Sequence, residues 1–226
     1  MGKEFIMQHN IRDIAVFGAG GFGREVACLI RIINESLDVP RWNFIGFFDD
    51  NESLKGTRNE YGSVIGGRKE LNQWETPLDI AIAIGSPQVL KLVAEDITNP
   101  LVDFPNVIAP NVTWLNKDNV RMGKGNIICS TCLISCNVTI GDFNIFNGYI
   151  PVGHDATIGN YNVIMPSCNI SGGVIFGDCN FMGVKSVVLQ YLRIGNNVKI
   201  STGSVLMRNA KDNYLYVGVP AQKMDM

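Results

Sequence analysis

Between about residues 12 and 100, apolar residues fall into two alternating kinds of run. Ile14-Ala15-Val16-Phe17 is short, continuous and stops at Gly18, the pattern of a parallel strand buried on both faces. Val26, Leu29, Ile30 and Ile33 then recur at helical spacing. Trp42 to Phe48 reads as a second strand ending in Asp49-Asp50, and Ile80 to Ile84 as a third that halts at Gly85-Ser86. Val89 to Ile97 is helical again. These strand-helix-strand units predict a small α/β domain with a parallel sheet, assigned to residues 1–103.

From about residue 104 a period of six takes over, defining a second unit over residues 104–226. Stepping by six from Ile128 gives Ile134, Ile140, Phe146, Val152, Ile158, Ile164, Ile170, Phe176, Met182, Val188, Ile194, Ile200 and Leu206, every one apolar. With 46% of the chain apolar, such a run has odds on the order of one in fifty thousand. Gly123, Gly141, Gly159, Gly177 and Gly195 each directly follow a register residue, so three sixes make one turn of eighteen. A triangular coil of short strands needs one inward apolar residue per side, and glycine at a recurrent corner would permit backbone angles that a Cβ resists. Four residues past the register lies a second, usually compact position that includes Cys132, Ala156, Cys168, Val174 and Ser186. Small residues suit a tight corner.

Two histidines limit the candidate chemistry. His9 sits in a polar stretch before the first strand. His154 lies two places after Val152, so its side chain should point out of the coil. An imidazole, with an ordinary pKa near 6.5, suits removal of a proton from an amine or hydroxyl as that group attacks a thioester. Asp155 follows it and could hold the ring in one tautomer, provided a corner turns the two side chains to the same side. In the first unit, Gly18-x-Gly20-x-x-Gly23 follows a strand and opens a helix, with Asp49 and Asp50 at the next strand end. That is the context of a nucleotide site, where backbone N–H groups receive a phosphate. Close strand-helix packing is the alternative use of those glycines. The few strands visible before the repeats favour a mononucleotide over a full dinucleotide.

Composition removes several classes. A net charge of −2, with no cluster of basic and aromatic residues, gives no grip on nucleic acid or an anionic membrane. No apolar run approaches the roughly 20 residues of a bilayer span, and no secretory leader opens the chain, so a cytoplasmic protein is expected. Six scattered cysteines fit a reduced compartment. Cys129 and Cys132 have CxxC spacing but no second pair and no nearby histidine, so no metal is expected.

An aliphatic residue followed by a glycine or small residue, with a small residue at the fifth place, resembles the hexapeptide-repeat proteins. That resemblance implies a left-handed parallel β-helix. Some such proteins are zinc carbonic anhydrases, but their three-histidine site cannot be met by one histidine in the repeats. Gly-Ala-Gly-Gly-Phe-Gly, Phe-Phe-Asp-Asp, Ala-Ile-Gly-Ser, Gly-His-Asp-Ala-Thr-Ile-Gly and Gly-Val-Pro-Ala, in that order, resemble the sialic acid O-acetyltransferase and UDP-4-amino-sugar N-acetyltransferase family. The likeness runs from about residue 12 to Met224.

What it implies is a Rossmann-like domain holding a sugar or nucleotide-sugar acceptor, acetyl-CoA along the coils, and a homotrimer with sites between neighbouring helices. By position, His154 matches the family's base and Asp155 its acidic partner, and Asn147 falls near the acceptor amine. Gly18, Gly20, Gly21, Asp49, Asp50 and Gly85 match the nucleotide-sugar pocket, while Gly172, Gly183, Gly203 and Pro220 match coenzyme contacts. Two departures stand out: Val163, where some members carry a second histidine at the thioester, and Gln222, where lysine is frequent. Lys185 or Lys223 would have to supply the missing charge. The expected reaction is direct transfer, with the N–H of Gly172 a candidate oxyanion donor. Two other classes compete: a non-catalytic trimeric β-helix scaffold, and a nicotinamide-dependent oxidoreductase suggested by the glycine motif alone.

Overall fold

A computed structural model describes residues 11–225; His9 lies outside the described residues. The first unit runs β1 (Arg12–Phe17), α1 (Gly21–Glu35), β2 (Trp42–Phe48), β3 (Arg58–Asn59), β4 (Gly62–Gly66), α2 (Arg68–Asn72), β5 (Leu78–Ile82), α3 (Pro87–Asp96) and β6 (Val102–Asp103). Its sheet has the order β3-β4-β2-β1-β5-β6, parallel throughout except for the β3-β4 pair. The three strands expected from the apolar runs are present, and β3, β4 and β6 add to them. These segments are too short to carry a long apolar run, and the expectation of a mononucleotide site, which rested on a half-size sheet, loses that support. β1 is flanked by β2 and β5, so the chain leaves it toward opposite edges. The crevice at the C-terminal ends of β1 and β5 is therefore the topological switch point, where α/β sheets bind ligands.

The second unit is a parallel β-helix with three faces. One face stacks Val107–Ile108, Ile127–Ile128, Ile145–Phe146, Val163–Ile164, Phe181–Met182 and Lys199–Ile200, and ends in the hairpin Tyr214–Gly218 and Ala221–Asp225. A second stacks six strands from Thr113–Trp114 to Val205–Leu206, and a third five strands from Arg121–Met122 to Arg193–Ile194. All fourteen register residues from Ile128 to Leu206 are buried, none more than 3% exposed. The predicted period of six is thus the inward side of each strand.

The corners differ from expectation. Left-handed backbone, with φ from +54° to +69°, occurs three residues past each register position from Gly125 to Gly203, and Thr131, Phe143, Tyr161 and Lys185 adopt it as readily as Gly173. The glycines at Gly141, Gly159 and Gly177 do not have positive φ. They are needed for space: a Cβ on Gly159 would stand 2.7 Å from the carbonyl oxygen of Gly177 and overlap the Asp178 carboxylate one coil away. That carboxylate is itself part of an external ladder. Asp142 N donates to Asn160 Oδ1, Asn160 N to Asp178 Oδ1, and Asp178 N to Asn196 Oδ1, all at 2.7–2.8 Å.

The compact position four past the register also conceals a polar column. Asn126, Asn144, Asn162 and Asn180, spaced by eighteen, are at most 1% exposed. Asn144 Nδ2 donates to Asn126 Oδ1 (3.1 Å) and to the Gly159 carbonyl (2.8 Å), and Asn144 Oδ1 accepts from Asn162 N (3.0 Å) and Nδ2 (2.9 Å). Burial of Asn144 is tolerated because the coils on either side satisfy its amide, whereas at the end of the column the Asn180 Nδ2 has no partner among the described residues. Asn144→Ala strands these groups in the core, and we expect a loss of about 2–4 kcal/mol in urea unfolding. A loss below about 1 kcal/mol would show that the column is incidental.

On the first face even the outward side is apolar and buried: Ile127, Ile145 and Val163 are each 1% exposed. The helices of the first unit cover this side, with α1 against the strand Val107–Ile108, Gln88 Nε2 donating to the Cys179 carbonyl at 3.4 Å, and Lys91 over the Tyr161 ring. Each such side chain is worth roughly 1.5–3 kcal/mol of burial, which fastens the two units together.

Candidate active site

His154 stands on the corner between the second and third faces, half-exposed, with its ring bounded by Asp155 on one side and Gly172 on the other. Asp155 is the left-handed residue of that corner, with φ +57°, and this turn brings two consecutive side chains to the same side. His154 Nδ1 lies 2.7 Å from Asp155 Oδ2. The other carboxylate oxygen accepts from Asn137 Nδ2 at 3.0 Å. These two hydrogen bonds, that of His154 first, hold the Asp155 pKa below the usual carboxylate range. On the coil above, a Cβ at Gly172 would stand 2.5 Å from His154 Nε2, so the imidazole edge lies directly over that glycine. The arrangement leaves Nδ1 engaged by a carboxylate and Nε2 as the basic atom, the form in which imidazole removes a proton.

A second cluster gathers at the switch-point crevice. Gly18 takes φ +108° and packs against the Ala83 carbonyl, while a Cβ on Gly23 would overlap the Gly18 carbonyl. Both serve close packing, Gly18 of the loop after β1 on that after β5 and Gly23 of α1 on the β1 loop. Gly20 and Gly85 do not: nothing lies within 4 Å of where their Cβ atoms would be, and both border open space. Asp49 turns inward, accepting from Ala19 N (2.8 Å) and Asn51 N (2.9 Å), so its carboxylate shapes the glycine loop. Asp50 is held by Arg68, at 2.9 Å from its backbone N–H and 2.6 Å from Nε.

Gly21 and Asn147, far apart in sequence, line one groove of about 550 Å³ between α1 and the coil. Arg24, Tyr61, Ser130 and Tyr149 line it too, and no spacing signal in the sequence marks them. His154 is not among its lining residues. Gly183, Gly203 and Pro220 meet at the C-terminal end: a Cβ on Gly183 would press on Thr202 N, Gly203 N donates to the Val184 carbonyl, and Gly218 N, in the hairpin carrying Pro220, donates to Ser204 Oγ at 2.9 Å. Gly172 lies with the histidine instead. Val163 is buried on the first face beneath the first unit. Lys223 lies over the Tyr214 ring, 3.9 Å from its centre.

All six cysteines are free. Burial pushes the Cys129 thiol up to about 12 and that of Cys132 up to about 11, so neither is a thiolate near neutral pH. Among the described residues no group of three metal-ligating side chains assembles, and no helix is long and apolar enough to cross a membrane.

Residues 13–97 match the family described as the PglD N-terminal domain. Over nearly the whole chain the fold is that of the acetyltransferase domain of PglB from Neisseria gonorrhoeae, with 25% identity, 94% of this chain and 100% of that one covered, and a TM-score of 0.84. The same domain is known in complex with acetyl coenzyme A, at a TM-score of 0.83. PerB from Caulobacter crescentus, in complex with CoA and GDP-perosamine, shares the fold at 24% identity and a TM-score of 0.84, covering 95% of this chain and 98% of that one. A curated relative, the acyl-[acyl-carrier-protein]--UDP-N-acetylglucosamine O-acyltransferase of Burkholderia lata, is 31% identical over 84 residues, 37% of this chain. The chain spans about a third of that relative's length, 32%. The PglD-type N-terminal unit and the β-helix thus occur together, in this order, in sugar acetyltransferase structures.

Proposed function

We propose that this protein transfers an acetyl group from acetyl-CoA to an amino group or hydroxyl of a nucleotide-linked sugar, in the synthesis of a bacterial surface glycan. His154 is the general base and Asp155 the residue that orients it. The observation that carries this reading is the His154–Asp155 pair, a tautomer-fixed imidazole on the outside of a β-helix whose similar structures bind CoA. Acceptor and acetyl-CoA bind together; the acceptor's nitrogen or oxygen attacks the thioester carbonyl as Nε2 takes its proton. Collapse of the tetrahedral intermediate expels the CoA thiolate, which is protonated on release. Preorganised N–H donors such as that of Gly172 would stabilise the oxyanion by a few kcal/mol.

The acceptor's nucleotide occupies the switch-point crevice, supported by the open positions at Gly20 and Gly85 and by the positive end of α1. The coenzyme lies toward Gly183, Gly203 and Pro220. Because His154 faces away from the groove beneath its own first unit, a homotrimer in which a neighbouring copy completes each site accounts for the arrangement best. The enzyme would work in the cytoplasm, where acetyl-CoA is made.

Incubation with acetyl-CoA and a panel of nucleotide-linked amino sugars and sialic acid, followed as thiol release, tests the reaction class. Hydroxylamine separates the products, since it cleaves O-acetyl esters and spares amides. Failure of every acceptor, with no affinity for CoA, would leave the scaffold reading. Gly85→Val tests the crevice separately: it should leave the unfolding temperature unchanged and raise the acceptor KM about tenfold or more, with the KM for acetyl-CoA unmoved. An unaltered acceptor KM would put the nucleotide elsewhere.

A further inference from the structure

The carboxylate beside His154 ends a column of side chains that climbs the same corner at intervals of eighteen residues. Asn119 Nδ2 donates to Asn137 Oδ1 at 3.3 Å, Asn137 Nδ2 donates to Asp155 Oδ1 at 3.0 Å, and Asp155 Oδ2 receives His154 Nδ1–H at 2.7 Å. Every member is exposed. In water an isolated surface aspartate rotates freely, and an exposed pair with histidine would hold the ring only part of the time. Asn137 changes that by tying the second carboxylate oxygen, and Asn119 fixes the direction of the Asn137 amide so that its NH2 group faces Asp155. Asn137 and Asp155 both adopt φ +57°, which stacks their side chains in line.

From this geometry we infer that Asn137 is a positioning residue for the base: it locks the Asp155 carboxylate in the rotamer that keeps His154 in its Nδ1–H tautomer, with Nε2 unprotonated. The inference rests on the reading of His154 as base, yet its structural half can be observed without any turnover. Asn137 makes no contact with the groove or the glycine crevice, so its effect must pass through Asp155. A polar depression lined by Asp118, Asn119, Arg121 and Thr139 borders Asn137.

The position calls for Asn137→Gly, because glycine enters the left-handed region without strain and removes only the amide. Asn137→Asp is the contrasting variant: it keeps shape and tolerance of that backbone but replaces the donor by a second carboxylate facing the first. The His154 tautomer can be read from its two ring ¹⁵N shifts, since only His9 shares the spectrum. We expect both variants to shift the neutral ring toward the Nε2–H tautomer, with kcat reduced about tenfold and both KM values within about twofold. A purely structural role would be rescued by Asn137→Asp. Unchanged ¹⁵N shifts in Asn137→Gly would overturn the inference whatever the activity. Shifted tautomers with undiminished kcat would instead keep the positioning and remove His154 as the base.

Discussion

His154→Ala should lower kcat by about 10²–10⁴ while leaving the KM of acetyl-CoA and of the acceptor within about threefold. The imidazole makes its decisive interaction only as the acceptor's proton departs. It is half-exposed, with a side-chain relative exposure of 52%, so its removal leaves no core cavity and the variant should fold as the wild type does. The pH dependence sharpens the expectation. Hydrogen bonds from His154 and then Asn137 hold the Asp155 carboxylate below its ordinary range, so Asp155 stays ionised throughout the interval in which an imidazole titrates. With a hydroxyl acceptor, or after correction for the protonation of an amine acceptor, wild-type kcat/KM should therefore fall on the acid side by a single enzyme protonation that is absent in His154→Ala. A variant with unchanged kcat, or one that keeps the acid limb, would assign the proton transfer to another group.

The largest effect on stability is expected at a residue with no chemistry. Gly159→Val should destabilise the coil by roughly 3 kcal/mol or more in urea, because the new atoms meet the backbone of Gly177 and the Asp178 carboxylate, which itself accepts from Asn160 N. Neither neighbour can move without opening the ladder between coils, whose strands are spaced at about 4.8 Å. Gly85→Ala provides the contrast, as nothing lies within 4 Å of the added methyl group. A loss in Gly159→Val no larger than that in Gly85→Ala would contradict the steric account, because replacing glycine otherwise lowers the entropy of the unfolded chain and stabilises the fold.

Inward positions of the coil were legible in the sequence because the geometry demands one apolar side chain per side, and no other residue class satisfies it. The reason for the glycines was not, since close approach between coils and left-handed backbone leave the same letter in the chain. Left-handed corners are filled by Thr131, Phe143, Tyr161 and Lys185, residues with no preference for that conformation, because the coil imposes it. The asparagine column could have been found: Asn126, Asn144, Asn162 and Asn180 share the eighteen-residue period, as do Asn119, Asn137 and Asp155. So could the covered face, where Ile127-Ile128, Ile145-Phe146 and Val163-Ile164 are apolar at both strand positions and so cannot leave one side to water. Scarcity and register single out His154 as the candidate base, and the turn at Asp155 sets which way both side chains point. Asp49's place at a strand end points to the nucleotide-sugar pocket, while its shaping of the glycine loop leaves no mark in the sequence, because only the folded loop brings the two backbone N–H groups near its oxygens.

Direct transfer by this base is tested most plainly by mixing enzyme and acetyl-CoA at comparable concentrations and following thiol release, with and without a nucleotide-linked amino sugar, in wild type and His154→Ala. Release that requires the acceptor, and falls by about 10² or more without His154, is the predicted result. A stoichiometric burst of thiol in the absence of acceptor would reveal an acetyl-enzyme intermediate, and undiminished release by His154→Ala would remove the base; either contradicts the mechanism.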